Sequence, residues 1–212
     1  MSARAKSRWS KVLGGALGLL LVGAYLAGAD GSSILVVDRF QETNEANRGG
    51  YASGWMIAGN KERDSRIEIV REKATSFLCL VSKKDAFGLK KDIKFDVSKY
   101  PFLSWQWRVW ENPKGGDIRS RATDDQAGQI YVLFPHFPGV VNTRAIGYIW
   151  DPATPRGHSG TSPSFAKMKY TVLQSGEGNL RRWAAESRNV HEDYRRLFQE
   201  DPPEAGGDSS VH

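Results

Sequence analysis

Short runs in which apolar and polar residues alternate recur along most of this chain, and they restrict the folds open to it. In FLSWQWRVW, residues 102–110, every second side chain is apolar and falls on one face: Leu103, Trp105, Trp107 and Val109. This period of two is typical of a β-strand with one buried face. Turn-forming residues separate this run from similar ones at residues 34–40, 66–69, 76–82, 91–97, 129–134, 144–150 and 165–174. The sequence therefore predicts a mostly β fold, an antiparallel β-sandwich or jelly roll.

One segment near the C-terminus follows a different period. Over residues 179–198, apolar side chains recur at spacings of three and four, as on one face of an amphipathic helix. Asn179 suits the N-cap position, and a Pro-Pro pair after the segment ends the helix. Arginines alternate there with acidic residues such as Asp193, which indicates a solvated, ion-paired face. We expect one C-terminal helix over residues 179–198 and a disordered tail over residues 199–212.

The N-terminus reads as a targeting signal. Residues 1–11 are basic without an acidic residue, and the eighteen residues 12–29 carry no charge and end in Ala27-Gly28-Ala29. This pattern predicts a secretory signal peptide. If it is not cleaved, the same segment is long enough for a single N-terminal membrane anchor. Both alternatives place residues 30–212 outside the cytoplasm. With cleavage the domain would be periplasmic or secreted, and without cleavage it would be anchored to the inner membrane.

Charge and cysteine content exclude several classes of protein. The chain carries 30 Lys+Arg against 24 Asp+Glu, and four of the basic residues lie within residues 1–11. Without that segment the formal charge falls from +6 to +2, because 26 basic residues then face 24 acidic ones. We therefore expect no nucleic-acid partner. A single cysteine excludes an internal disulfide, and the length suits one β-sandwich domain over residues 30–198.

Two connections are longer than a hairpin requires, residues 111–128 and residues 151–164. Structureless loops of this length in a compact domain are usually either functional or mobile. If the strands from residue 102 onward form a meander, both loops emerge at the same end of the sheet, near Trp110 or Trp150. Their charged side chains are the candidate ligand-binding residues: Asp117, Arg119, Asp124, Asp125, Arg156 and His158.

Each chemical use of these residues has an alternative. Asp124 and Asp125 could act as a carboxylate pair in glycoside hydrolysis, but adjacent residues of an extended chain point to opposite sides. Turn formation or pairing with arginine is the favoured interpretation of these two aspartates. Asp117, Asp124 and backbone carbonyls suit calcium, although no ligand-spacing signature is present. The four histidines lack zinc spacing, and Cys79 is predicted on the inward face of its strand as a structural thiol. We expect no cofactor, with calcium as the alternative.

The chain contains a series of ordered motifs: ILVVDRF, GLKKDIKFDVSKYPFLSWQWRVW, GGDIRSRATDDQAGQIYVLFP, AIGYIWD, VLQSGEGNLRRWAAESRNVHEDYRRLF and DPP. Over roughly residues 34–203, this series resembles the bacterial domain-of-unknown-function family 3047. The resemblance implies an exported β-sandwich similar to galactose-binding-like domains, with no established activity. It also implies further strands after the Pro-Pro pair, where this sequence reads EAGGDSSVH. The family's loop motif matches Gly115, Gly116, Asp117, Arg119, Asp124 and Asp125, and its helix motif matches Tyr194, Arg195 and Arg196.

The resulting functional hypothesis is a non-catalytic, ligand-binding β-sandwich of the bacterial cell envelope. A glycan or another envelope component is its expected partner, and membrane contact is expected only through residues 12–29 if they remain attached. One alternative is an envelope hydrolase that uses Asp117 with Asp124 or Asp125 as acid and base. The other is a purely structural or assembly module with the helix as its docking face.

Overall fold

A computed structural model describes residues 16–29, 33–41, 52–59, 65–83, 87–136, 142–203 and 205. The mostly β fold with one C-terminal helix is confirmed. Its elements are β1 (Ala16–Ala27), β2 (Ile34–Asp38), β3 (Trp55–Gly59), β4 (Arg66–Glu72), β5 (Thr75–Lys83), β6 (Phe87–Lys91), β7 (Phe102–Val109), β8 (Gly128–Phe134), β9 (Arg144–Asp151), β10 (Ser159–Thr161), β11 (Met168–Ser175), β12 (Ala184–Asn189) and α1 (Val190–Phe198).

Two sheets and a short ribbon make up the described part of the fold. The first sheet has the order β12-β7-β1-β5-β4, with β2 paired to the C-terminal part of β1, and all of its pairs are antiparallel. The second sheet has the order β10-β11-β9-β8, and β3 pairs with β6 in the ribbon. The meander assumed for the strands from residue 102 onward does not form, because β7 belongs to the first sheet and β9 runs parallel to β11. Alternation fixes which face of a strand is buried but carries no information about its partner.

Large aromatic side chains fill the space between the two sheets. The Trp105 ring lies 5.4 Å from that of Tyr148, and the Trp107 ring lies 5.7 Å from that of Trp150. All four side chains are buried in the main core. Removing such areas from water provides most of the favourable free energy of folding. The two sheets are therefore the layers of a sandwich.

The C-terminal helix is shorter than the sequence predicts. Residues 184–189 form β12, which pairs with the edge of β7, and the helix begins at Val190. Asn189, rather than Asn179, is the N-cap, and its side chain accepts a hydrogen bond from the Glu192 N–H at 3.1 Å. Pairing with a free sheet edge has overridden the helical spacing of the preceding residues.

The apolar N-terminal segment forms the central strand of the first sheet. Residues 16–21 of β1 pair with β5, and residues 19–27 pair with β7. Ala24 and Leu26 are buried in the main core. Residues 1–15 lie outside the described part, and the signal peptide or anchor stays a prediction from sequence. Among the described residues, no helix is long and apolar enough to cross a membrane.

Two smaller predictions need correction. Cys79 shares a face with Phe77 and Val81, as expected, but these side chains form a separate cluster while Leu78 points into the main core. The tail is not wholly disordered, because Ala205 is buried and forms a two-way backbone bridge with Phe95. Residues 204 and 206–212 lie outside the described part.

Candidate functional site

Strand direction brings three connections to one end of the sandwich. Gly128 at the start of β8 lies opposite Trp150 near the end of β9, and Ser175 at the end of β11 lies beside Asp151. The segments 110–127, 151–158 and 176–183 therefore meet, and together they are called the loop edge below. The predicted proximity of the first two segments is thus observed, although it arises from a β8–β9 hairpin and a parallel β9–β11 pair.

The buried carboxylate of Asp151 organises the loop edge. Its Oδ1 accepts hydrogen bonds from the N–H groups of Ala153 at 2.9 Å and Thr154 at 2.6 Å. Its Oδ2 accepts one from the N–H of Ile118 at 2.9 Å, across to the first loop. Sequence reasoning missed this residue. The available signal was an aspartate at a strand end before Pro-Ala-Thr, a pattern typical of a side chain that closes a turn on its own backbone.

Close backbone packing fixes the first loop. A Cβ atom at Gly116 would lie 2.1 Å from the carbonyl oxygen of Asp125 and 3.1 Å from the Pro152 ring. No side chain fits at that distance, so only glycine permits the two halves of the loop to approach each other. Asp117 and Thr123 join the same halves, since the Asp117 N–H donates to the Thr123 carbonyl at 2.7 Å. Backbone contacts therefore hold the two halves of the first loop in one conformation.

Asp117 and Arg119 form a bidentate ion pair. The Arg119 Nε donates to Asp117 Oδ1 at 2.9 Å, and its Nη2 donates to Oδ2 at 2.7 Å. These bonds are the largest cause that holds the pKa of Asp117 well below its usual range, and the same carboxylate raises the pKa of Arg119. Thr154 Oγ1 donates to Asp117 Oδ1 at 3.1 Å and so joins the two long loops. Asp117 is therefore a fixed anion.

Asp124 and Asp125 differ in their surroundings. Asp124 accepts a hydrogen bond from Gln126 Nε2 at 2.8 Å and is half-buried. Burial, together with the neighbouring charge of Asp124, raises the pKa of Asp125 to about 6. Asp125 can therefore exchange a proton near neutral pH, whereas Asp117 cannot.

Arg156 and His158 lie on the second loop and are both exposed. Their turn is fastened to β11, because the Gly157 N–H donates to the Val172 carbonyl at 2.8 Å. The His158 ring lies 5.9 Å from the ring of Tyr170. Burial raises the pKa of Tyr170, and the charges of Asp151, Asp117 and Asp124 raise it further. Charged groups of both loops therefore act on the Tyr170 hydroxyl. No role was predicted for this residue from the sequence.

Replacing Asp125 by Asn should stabilise the domain at neutral pH. The pKa of Asp125 is raised from 3.8 to about 6 in the folded state. As pH rises between these values, the unfolded state loses this proton more readily than the folded state, and the free energy of unfolding therefore falls. We expect the Tm gain of Asp125→Asn to be small at pH 3.5 and largest above pH 7.

The matched control for this experiment is Asp117→Asn, which should lower the Tm at neutral pH where Asp125→Asn raises it. The lowered pKa of Asp117 means that its charge stabilises the fold above 3.8, and that this contribution disappears as pH falls through the folded pKa. A Tm gain of Asp125→Asn that does not change with pH would contradict the burial of that carboxyl.

A polar cavity of about 420 Å³ lies away from the loop edge, lined by Asp38, Arg39, Gln41, Ser53, Gly54 and Lys91. Its central carboxylate is already paired. Asp38 Oδ2 accepts hydrogen bonds from Lys91 Nζ at 2.7 Å and Trp55 Nε1 at 2.8 Å, and Oδ1 accepts one from the Phe40 N–H at 2.7 Å. Burial raises the pKa of Asp38, but these bonds outweigh it and lower the pKa overall. This cluster fastens the β3–β6 ribbon to β2.

No group of three or more His, Cys, Asp or Glu side chains within the described ranges is arranged to hold a metal ion. The loop edge instead combines carboxylates, guanidinium groups, an imidazole and the exposed indole of Trp110. Such a set can donate and accept hydrogen bonds and can pack against an apolar surface.

Neither a curated protein nor a solved structure matches this chain. A family model matches residues 53–207, a stretch that contains β3 to β12, the helix and the whole loop edge. This match confirms the resemblance over well more than half of the chain, while the motif ILVVDRF, residues 34–40, lies outside it. The chain therefore belongs to the family described as Protein of unknown function (DUF3047).

Proposed function

We propose that this protein is a non-catalytic ligand-binding β-sandwich that binds carbohydrate at its loop edge. The observation that carries the proposal is the Thr154–Asp117 hydrogen bond at 3.1 Å, with both loops fixed to the buried Asp151. Binding residues are commonly placed on loops that a rigid scaffold positions. Here the scaffold presents Asp124, Arg156 and His158 at one end of the sandwich.

The chemistry of these side chains suits a polyhydroxylated ligand. Carboxylates accept hydrogen bonds from hydroxyl groups, whereas guanidinium groups donate to ring and hydroxyl oxygens. Trp110, whose side chain is 49% exposed, lies at the start of the first loop and provides an apolar ring on which the C–H face of a sugar can pack. Carbohydrate is a ligand class that uses both kinds of group.

Asp117 supports a binding role more than a catalytic one. A carboxylate held by a bidentate arginine and with a lowered pKa is a weak base, because its lone pairs are occupied. The periplasmic or secreted location rests on residues 1–29 alone and stays a prediction from sequence.

A hydrolase is the second candidate, and the raised pKa of Asp125, about 6, favours it. Glycoside hydrolysis needs one carboxyl that is protonated near neutral pH and one that is ionised. Asp125 would be the acid and Asp124 or Asp117 the carboxylate. Turnover of an oligosaccharide that follows a bell-shaped pH profile and is lost in Asp125→Asn would establish this candidate and overturn the non-catalytic one.

Asp124→Ala should weaken binding of oligosaccharides about tenfold, equal to ~1.4 kcal/mol. The substitution removes a hydrogen-bond acceptor from the loop edge. In the described structure, the hydrogen bond that the Asp124 carboxylate accepts is the local one from Gln126, so the fold should tolerate its loss. Calorimetric titration of the full chain with a panel of neutral and acidic hexasaccharides measures the effect.

Lys94→Ala is the matched control for Asp124→Ala. Lys94 is exposed in the segment that leads into the start of β7, at the opposite end of the sandwich, and its loss should leave affinity unchanged. Equal affinity of Asp124→Ala and wild type would contradict the proposal that the loop edge is the binding site.

A further inference from the structure

The outer face of the first sheet carries a surface of alternating aromatic and arginine side chains. On β7, Trp107 and Val109 point into the core, so Arg108 points to the opposite face. Phe77 from β5 lies on the same outer face, in the cluster that contains Cys79. The aromatic–arginine surface is defined here as Phe77, Arg108, Trp110, Arg181 and Trp183.

Arg108 lies at the centre of this surface. Its guanidinium carbon is 4.6 Å from the ring centroid of Trp183, 5.4 Å from that of Trp110 and 5.9 Å from that of Phe77. The guanidinium carbon of Arg181 lies 5.9 Å from the Trp110 centroid. The Phe77 and Trp183 rings meet edge to face at 5.5 Å. Stacking between guanidinium groups and aromatic rings orders both.

This surface is positively charged, and its outer part is open to solvent while Phe77 is buried beneath it. Trp110 is 49% and Trp183 is 36% exposed, which is a large apolar area to leave in water. Among the described residues, neither Arg108 nor Arg181 takes part in an ion pair. The Nε of Arg108 is also buried without a hydrogen-bond partner in the described structure. Within the described part of the chain, the two cations beside these exposed indoles therefore have no ion-pair partner.

The backbone at Arg181 adds a second sign of a specialised position. Its φ is 64°, in the left-handed region that non-glycine residues adopt only at some cost in free energy. The Arg181 N–H donates to the Val109 carbonyl at 2.8 Å and holds this conformation against the end of β7. The arginine side chain is thereby kept beside Trp110.

We propose that the aromatic–arginine surface binds an acidic saccharide, with a sugar ring packed on Trp110 or Trp183 and a sugar carboxylate paired with Arg181 and Arg108. The inference rests on the proposed carbohydrate-binding function and narrows its ligand to uronate-containing glycans. Planar guanidinium groups bind carboxylates in a bidentate manner, and indole rings provide the apolar half of the contact. Trp110, Arg181 and Trp183 also belong to the loop edge. The aromatic–arginine surface therefore extends the loop edge onto the outer face of the first sheet.

The test compares hexasaccharides of opposite charge on the full chain. A mannuronate hexamer should bind at least tenfold more tightly than a neutral β-1,4-linked glucose hexamer, and added salt should reduce this preference. Arg181→Asn should reduce the preference, because asparagine tolerates the left-handed backbone but lacks the guanidinium group, which leaves Arg108 as the one cation of this surface. Arg182→Asn, at the neighbouring exposed arginine, is the matched control and should keep it.

Trp110→Ala provides a second variant should Arg181→Asn unfold, and it should weaken the binding of both hexamers. Equal binding of the two hexamers by wild type, or equal losses in Arg181→Asn and Arg182→Asn, would overturn the acidic-saccharide inference and leave carbohydrate binding standing. Failure of every hexamer to bind would overturn the proposed function as well.

Discussion

Removal of residues 1–29 should abolish the cooperative thermal unfolding transition of this protein. The deletion takes away β1, which pairs with β5 over residues 16–21 and with β7 over residues 19–27. Both neighbouring strands would then expose unpaired N–H and C=O groups, and the core would lose Ala24 and Leu26. Because a domain is usually stable by only ~5–15 kcal/mol, we expect the loss of a central strand to unfold it.

Circular dichroism on heating measures this effect, and a chain shortened by residues 1–11 is the control. That control removes the four basic residues and keeps all of β1, so it should unfold cooperatively. Cooperative unfolding of residues 30–212 at the temperature of the full chain would contradict the central position of β1. It would mean that the segment acts as the leader that its sequence predicts, because a cleaved or membrane-inserted segment cannot pair with β5 and β7.

Asp193→Ala should have the largest effect of any single substitution at a polar residue, about 3–5 kcal/mol of unfolding free energy. The Asp193 carboxylate is buried and accepts hydrogen bonds from Arg188 Nη2 at 2.6 Å and Nε at 2.9 Å. Arg196 Nη2 and Tyr148 Oη each donate to it at 3.0 Å. Its loss leaves the half-buried Arg188 guanidinium and the buried Tyr148 hydroxyl without their acceptor. The Tm should fall by about 6–20 °C.

Glu192→Ala, at the preceding exposed residue of the helix, is the control and should change the Tm little. The pH dependence provides a second check. Burial raises the pKa of Asp193, but the hydrogen bonds from Arg188 and Arg196 outweigh it and lower the pKa overall. Its stabilising contribution is therefore complete above the ordinary value of 3.8 and is lost as pH falls through the lower folded value. A Tm difference between wild type and Asp193→Ala that disappears already at pH 6 would be incompatible with this network.

Periodicity predicted the strands well where one face is buried. Along β7 the sequence predicts that Leu103, Trp105, Trp107 and Val109 are buried, and the structure confirms it. Over residues 91–97 the same kind of pattern does not produce a strand. There Asp96 accepts hydrogen bonds from both the N–H and the hydroxyl of Ser98, so a local turn forms in place of the ladder.

The ion pairs show where sequence reasoning fails for a physical reason. Asp193 reads as part of a solvated helical face, yet it is only 3% exposed. Its carboxylate packs against Tyr148 of β9, which lies far away in sequence, and against Arg188 of β12, a strand that is placed by its pairing with β7. The role of Asp151 is hidden in the same way, since its partner Ile118 lies in another loop. Pairing between strands that are far apart in sequence decides both positions, and a single sequence does not encode it in any local pattern.

The proposed carbohydrate binding is tested most directly by thermal unfolding of the full chain with and without saturating hexasaccharides. Binding to the folded state alone raises apparent stability, by ~2.7 kcal/mol when the ligand is present at a hundred times its Kd. We predict one cooperative transition that rises with the mannuronate hexamer and rises less, at the same hexamer concentration, in Asp124→Ala and Arg181→Asn. A cooperative transition that no neutral or acidic hexamer shifts would contradict the account.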